Sequence, residues 1–418
     1  MTVFTTKATK ASKITKSIWF LVFFATVVNF VVMTRAQTEA IAEIRVHGNH
    51  TTPEAEILAL AGLRVGEPAT ADRLAQAERV LRESGRFEDV EVRRRYRSID
   101  NPAEILIILL VDERAPAAPM WMPIVARREG HALTYGARVA FVNALGPRTR
   151  ISAPMTWGGE RRAAVEVERT VGATPASPAL TIGGSVAVHR TVNPHFDLAD
   201  NRREVQVRAE RVLTPWLRAG GGARVTRVTF GGAPEEWHQA AGAHVTLDTR
   251  VDPSFPRNAV HATVGVARLA MSRLKPAPTY NTDLRGYVGL FGPAVLALRG
   301  QARHAGAALP ISEWALAGGS ESVRGYRAGH RAGDSMAAVS AEVRVPVTSP
   351  LSNARLGVRG FVDAGAAWNA GEPARKQQYD QGAGGGVYFG FAAVAASVDV
   401  AWPERGSPRL HVQLGITN

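Results

Sequence analysis

From Trp121 onward the residues alternate in type with a period of two, and this alternation most constrains what the chain can fold into. Val205, Val207 and Ala209 alternate with Glu204, Gln206, Arg208 and Glu210. Val339, Ala341, Val343 and Val345 alternate with Ser340, Glu342 and Arg344, and Leu410, Val412, Leu414 and Ile416 alternate with Arg409, His411, Gln413 and Gly415. Successive side chains on a strand point to opposite faces, so each stretch reads as a strand with one apolar and one polar face. A soluble sandwich also alternates. Here the second parity carries ionised groups that a dry core between two sheets could not accommodate. The segments also run about 9 to 11 residues, the length a tilted strand needs to cross a bilayer. Closing such strands into a barrel pairs every backbone amide, as a lipid environment demands. About sixteen such segments fit between Trp121 and Asn418, an even number as in bacterial barrels. The expected fold is mainly β: a transmembrane antiparallel β-barrel over residues 121–418, preceded by one small α+β domain.

The residues before Trp121 read differently. Lys7, Lys10, Lys13 and Lys16 precede an apolar run from Ile18 to Met33, and Thr34-Arg35-Ala36 offers a small-residue cleavage site. That is the pattern of an export signal over residues 1–36, with an apolar run shorter than a spanning helix requires. Residues 41–114 read as strand, helix, helix, strand, strand. Ile41 to His47 alternates; Thr52 is placed to cap a helix with Pro53 in its first position, and Gly62 to close it. Thr70 is placed to cap a second helix whose Leu74, Ala77 and Leu81 share a face. Phe87–Val92 and Ile105–Val111 follow as strands, and the proline-rich residues 115–120 form a stiff linker.

Composition excludes several classes. The chain contains no cysteine, which rules out disulfide scaffolds and thiolate metal sites. Of its net charge of +13, five units fall in residues 1–36, which leaves +8 on the rest. Those cations are almost all arginines spread through alternating strands, often opposite acids. This suits a polar lumen and anionic lipid surfaces rather than a nucleic-acid groove. Gly318-Gly319-Ser320-Glu321-Ser322 lacks the second glycine of a nucleophile elbow, and no phosphate-binding loop is present. His47 and His50 have no third ligand near them in sequence. The expectation is no enzyme, no cofactor and no metal.

A long glycine-rich segment, 306–334, carries Gly318-Gly319-Ser320-Glu321-Ser322-Val323-Arg324-Gly325-Tyr326. Upstream lies Asp248-Thr249-Arg250-Val251-Asp252-Pro253-Ser254-Phe255-Pro256. Downstream lie Ala341-Glu342-Val343-Arg344-Val345-Pro346 and Phe361-Val362-Asp363-Ala364-Gly365-Ala366-Ala367-Trp368. These four motifs, in this order, resemble the bacterial surface-antigen superfamily of outer-membrane barrels, which includes the BamA and TamA assembly factors and the two-partner secretion transporters. Residues 41–114, with Ser84-Gly85-Arg86-Phe87-Glu88-Asp89-Val90 at a helix-to-strand junction, resemble a single POTRA domain of that family.

The resemblance implies an outer-membrane assembly or insertion factor with its N-terminal domain in the periplasm. The alternatives are a polypeptide secretion pore of the two-partner type or a passive channel. It implies that segment 306–334 folds into the barrel and that Arg324, within Val323-Arg324-Gly325-Tyr326, meets Asp363 on the inner wall. Strand parity agrees: Arg355, Arg359, Phe361 and Asp363 share one face, and Leu356, Val358, Val362, Ala364 and Ala366 the other. Glu342, on the polar parity of its own strand, is a second candidate partner. The resemblance further implies a weak seam between first and last strands; the first contains Pro123, which cannot donate to a ladder, and the last contains Gly415, where a glycine permits a kink. Gly382–Tyr388 is expected to bend strongly or to be closely approached. The implied partners are unfolded outer-membrane or secreted polypeptides, the bilayer with its anionic lipid, and periplasmic chaperones or accessory subunits. Two features depart from the family: a single POTRA-like domain, and a C-terminal Ile416-Thr417-Asn418 without an aromatic residue.

Overall fold

The computed structural model describes residues 39–416, apart from 50–51, 85, 99–100, 102, 114–118, 147, 173–178, 350–353 and 392–393. The expected export signal, His50 and most of the linker lie outside the described residues.

The N-terminal domain runs β1 (Ala40–His47), α1 (Glu54–Ala61), α2 (Ala71–Glu83), β2 (Phe87–Tyr96) and β3 (Glu104–Glu113). Its sheet has the order β1-β3-β2, with β1 parallel and β2 antiparallel to the central β3. α2 begins where the Thr70 hydroxyl accepts the N–H of Arg73, and it turns Leu74, Ala77 and Leu81 inward. α1 differs from expectation at its start. Pro53 is the cap residue and no side chain caps the helix; the Thr52 N–H instead donates to Glu113 at 2.6 Å. Gly62 closes α1 at φ +63°, a left-handed conformation that glycine adopts at little cost. Ile105, Ile107, Leu109 and Val111 on β3 meet the helices in a closed core, and Val251 of the barrel packs against it. The Tyr96 carbonyl accepts from Arg355 at 3.0 Å and its hydroxyl donates to the Arg257 carbonyl at 3.3 Å. The domain thus rests against the turn that holds the Asp248–Pro256 motif.

The barrel begins with β4 (Pro119–Ala126), β5 (Thr134–Val142), β6 (Thr149–Gly158), β7 (Arg161–Val171), β8 (Leu180–Asn193) and β9 (Leu198–Thr214). It continues with β10 (Leu217–Phe230), β11 (Glu236–Asp248), β12 (Ala259–Met271), β13 (Ala277–Gly289) and β14 (Val295–Ala305). Segment 306–334 follows, with a small ribbon of β15 (Ala315–Ala317) and β16 (Arg331–Gly333). The wall resumes with β17 (Ser335–Thr348), β18 (Ala354–Trp368), β19 (Asp380–Phe391), β20 (Val394–Pro403) and β21 (Arg409–Ile416). Sixteen of these strands form one antiparallel sheet in chain order, β14 pairing with β17 across the long segment. Pro119 and Met120, expected in the linker, belong to β4; proline is tolerated as the first residue of a strand.

No helix among the described residues is long and apolar enough to cross a membrane. The strands have the surface for it: Val165, Val186, Val205 and Val225 stand in register across β7 to β10, all pointing outward. Some strands exceed the length a bilayer needs, β9 reaching 17 residues, because the ladder with β8 runs unbroken from Asn193–Leu198 to Leu180–Arg211.

Candidate functional site: the seated loop and the seam

Segment 306–334 enters the barrel and lays its tip against β17 to β21. Arg324 is buried there and meets the wall at several points. Its Nε donates to Oδ2 of Asp363 at 2.7 Å and its Nη2 to Oδ1 at 2.9 Å, a bidentate pair. Its backbone N–H donates to Oδ2 of the same carboxylate at 3.0 Å. Nη1 donates to Glu342 at 2.7 Å, and the guanidinium lies 3.3 Å over the ring of Phe361. The Ser340 hydroxyl donates to Asp363 at 2.7 Å. Asp399 approaches Arg324 at 3.7 Å and takes its main hydrogen bonds from Arg359. Glu342 also receives Arg344 at 2.6 Å. Arg324, Arg344 and Arg359 thus balance Glu342, Asp363 and Asp399, which lets six ionised groups share a mostly buried site.

The neighbours of Arg324 have equally specific seats. Val323 packs where Gly365 lacks a side chain; a Cβ there would stand 2.6 Å from the valine. Gly325 has φ +98°, and a Cβ on it would press against Pro403. Tyr326 stacks at a tilt on His330, centroids 4.8 Å apart, and its carbonyl accepts the N–H of Gly319 to close the turn. The glycine-rich stretch of β19 is closely approached, as expected: a Cβ on Gly382 would fall on the Arg324 carbonyl oxygen.

A second contact, with the charges reversed, holds the start of the segment. Glu313, buried in a short 3-10 turn (Ile311–Glu313), accepts from Arg202 of β9 at 2.7 Å. Arg202 also donates to the Ser312 carbonyl at 2.6 Å and is held by Asp200. His238 of β11 lies 3.3 Å from Glu313. Sequence reasoning missed this pair because Glu313 sits in a segment without periodicity. Asp399 was also missed, although it alternates with the outward Val398 and Val400 and was legible by parity.

The ladder between first and last strands comes down, among the described residues, to one bridge. Arg127 donates to the Leu414 carbonyl at 2.7 Å and Leu414 returns the bond at 3.4 Å. N–H groups two residues apart on a strand point the same way, so the parity of Arg127 turns the missing N–H of Pro123 toward this seam. Gly415 lies in the last strand just beyond the bridge. It pairs in regular register with Ala395, without a bulge or a positive φ.

A family model described as the Omp85 superfamily domain matches residues 169–417, more than half of the chain. The chain belongs to the Omp85 superfamily. A POTRA model, described as a surface antigen variable number repeat, matches residues 40–114. This Omp85 protein therefore sits in the bacterial outer membrane with its POTRA domain in the periplasm. Solved structures agree on the fold. BamA from Haemophilus ducreyi lacking POTRA domains 1–3 is 15% identical, with 90% of this chain and 84% of that one covered at a TM-score of 0.62. CdiB from Acinetobacter baumannii is 13% identical, covering 91% of this chain and 74% of its own, at 0.51. CdiB from Escherichia coli is 10% identical, covering 98% of this chain and 100% of its own, at 0.52. No curated protein matches the chain.

Proposed function

We propose that this protein inserts polypeptides into the outer membrane as an assembly factor of the BamA and TamA type, without catalytic turnover. The observation that carries the reading is the seam: among the described residues one bridge closes a wall whose other neighbouring strands pair along ladders of eight or more residues or, for β6 and β7, in two runs. A parted seam presents two strand edges on which an incoming polypeptide can form β-structure. The POTRA-like domain would dock the unfolded client beneath the barrel. Periplasmic chaperones or accessory subunits would deliver the client, and anionic lipid would surround the basic wall. Arg324, Asp363 and Glu342 hold the loop as a movable part of the lumen, and Pro123 keeps the seam edge short of one donor.

The test uses the absence of cysteine. A disulfide between Arg127→Cys and Leu414→Cys, at the bridged pair, locks the seam. In proteoliposomes the oxidised protein is expected to stop accelerating the folding of an outer-membrane client, and reductant is expected to restore it. Planar-bilayer conductance runs in parallel. Large steady conductance with no acceleration of client folding, locked or unlocked, overturns this reading in favour of a secretion pore or passive channel.

A further inference from the structure

The seam and the loop meet at a pair of residues that neither the Arg324 cluster nor the bridge involves. His411, on the inward face of β21, is fully buried. Its Nε2 accepts the N–H of Gly325 at 2.9 Å, so that nitrogen carries a lone pair and the ring proton sits on Nδ1. Nδ1–H donates to Oε2 of Glu129 at 2.6 Å. The same oxygen accepts the N–H of Ser320 at 2.8 Å. Glu129 stands in the turn just after Arg127, the residue through which the first strand bridges the last. The turn also packs directly on the loop: a Cβ on Gly130 would come 2.9 Å from that of Ala328. Loop, last strand and the end of the first strand therefore converge on one carboxylate oxygen.

We propose that Glu129 and His411 form a clasp that makes loop seating and seam closure a single event. The inference rests on the reading that the seam opens during function. Among the described residues the seam has one ladder bridge of its own, so a charge-assisted hydrogen bond at 2.6 Å across it is of comparable strength. Parting β4 from β21 pulls Glu129, the acceptor of Ser320, away from His411, the acceptor of Gly325, so the seated loop cannot keep both bonds. Lifting the loop takes from Glu129 and His411 the N–H donors of Ser320 and Gly325 that orient them, and so loosens the one side-chain bond that supplements the bridge. Both are positioning residues; neither needs to touch a client.

Two probes read the two motions separately. Val323→Cys, on the buried side of the seated loop against Gly365, reports unseating by its rate of maleimide labelling. Spin labels on Trp121→Cys and Leu410→Cys, on the outer faces of the seam strands, report parting as a distance distribution. In proteoliposomes, His411→Ala and Glu129→Ala are each expected to raise labelling about tenfold, as loss of a hydrogen bond to a charged group implies. Both are also expected to broaden the seam distance toward longer values. His411→Gln, whose amide offers an acceptor and a donor, is expected to restore most of both readouts. Heat-modifiable migration shows that each barrel has formed; if His411→Ala does not fold, Glu129→Ala and His411→Gln carry the comparison. Loop labelling that rises while the seam distance stays unchanged, or the reverse, overturns the clasp, as does the absence of change in both. Client folding measured on the same proteins separates this inference from the function proposed above. Readouts that move together while client folding stays unaffected leave the clasp standing and remove the insertase. Altered client folding with neither readout moving does the opposite.

Discussion

Breaking the Arg324–Asp363 pair tests the seated loop most directly, and its magnitude follows from the hydrogen bonds. Asp363 accepts three bonds from Arg324 and one from Ser340. Asp363→Ala leaves the Arg324 guanidinium with Glu342 at 2.7 Å, the Ser340 hydroxyl at 3.2 Å and the Phe361 ring. Breaking a buried pair from one side costs about 3–5 kcal/mol, and the surviving Glu342 contact places this variant at the lower end, about 3 kcal/mol. Arg324→Ala leaves Asp363 with a backbone N–H and Ser340, and Glu342 with Arg344 and Arg359, for a similar loss of about 3 kcal/mol. The double variant removes both charges together, so its loss is expected near 4 rather than 6 kcal/mol, a coupling of about 2 kcal/mol. A loss of about 3 kcal/mol lowers the seated population roughly a hundredfold, since every 1.4 kcal/mol is tenfold. That population is read by labelling of Val323→Cys and by the rise of steady conductance in planar bilayers. The exchanged pair, Arg324→Asp with Asp363→Arg, is expected to recover only a small part. An aspartate at 324 is too short to span the gap, and an arginine at 363 meets Arg344 and Arg359 nearby. Strictly additive losses from the two alanine variants refute the reasoning, because the residues then do not act on each other.

Gly382→Ala leaves every charge of the site in place yet puts a methyl on the Arg324 carbonyl oxygen, so it is expected to match Asp363→Ala in loop labelling; wild-type labelling would sink the packing argument. Glu313→Ala, which strands Arg202 beside Asp200, is expected to free the start of the loop at a cost of about 3 kcal/mol, read as protease cleavage within residues 306–318, with the Arg324 contacts kept. Val186→Arg on the outer valine row is expected to destabilise the barrel by about 2–4 kcal/mol in urea titrations from lipid, whereas Gln206→Arg facing the lumen costs under about 1 kcal/mol; equal losses would reverse the assigned faces. Residues 39–114, expressed alone, are expected to fold cooperatively around Ile107, and Ile107→Ala to cost about 2–5 kcal/mol by circular dichroism melting.

The parts legible in the sequence were those that a period of two can carry. Outward Val205 and Val207 against inward Gln206 and Glu204 defined both faces of a strand, and the same parity put Asp363 and Glu342 on the lumen side. The motif order supplied Arg324, which periodicity could not, because a loop has none. The seat of that arginine was legible only in part. Phe361 and Ser340 contribute through the register of β17 on β18, a relation between strands that no single stretch contains. Glu313 and Glu129 lie in turns, and what assigns them a place is a contact across more than a hundred residues of chain. Gly415 shows the opposite limit. A glycine permits a kink, whereas its regular pairing with Ala395 is set by the register of β21 on β20, a tertiary fact. Thr52 erred likewise, since the capping residue expected from local propensity gave its N–H to Glu113 on a distant strand.

On the proposed reading, the energetics of the seam explain why the loop is held by charges rather than by a dry core. A strand edge facing lipid leaves N–H and C=O groups without partners, each a loss of several kcal/mol. The edge of β4 is shortened in this respect by Pro123, which has no N–H to lose. A client strand that pairs with the remaining groups is therefore drawn to the edge by the same term that makes the open seam unfavourable. For such a gate to work, the closed state must not be too stable. A hydrophobic plug in the lumen would have to expose its whole buried face to water when it moved. Ion pairs exchange partners instead: as Arg324 leaves, Glu342 keeps Arg344, and Asp399 keeps Arg359, so the wall stays balanced apart from Asp363. The loop can thus be specific in position and still releasable, and the cost of release is concentrated in the one carboxylate whose replacement the first prediction measures.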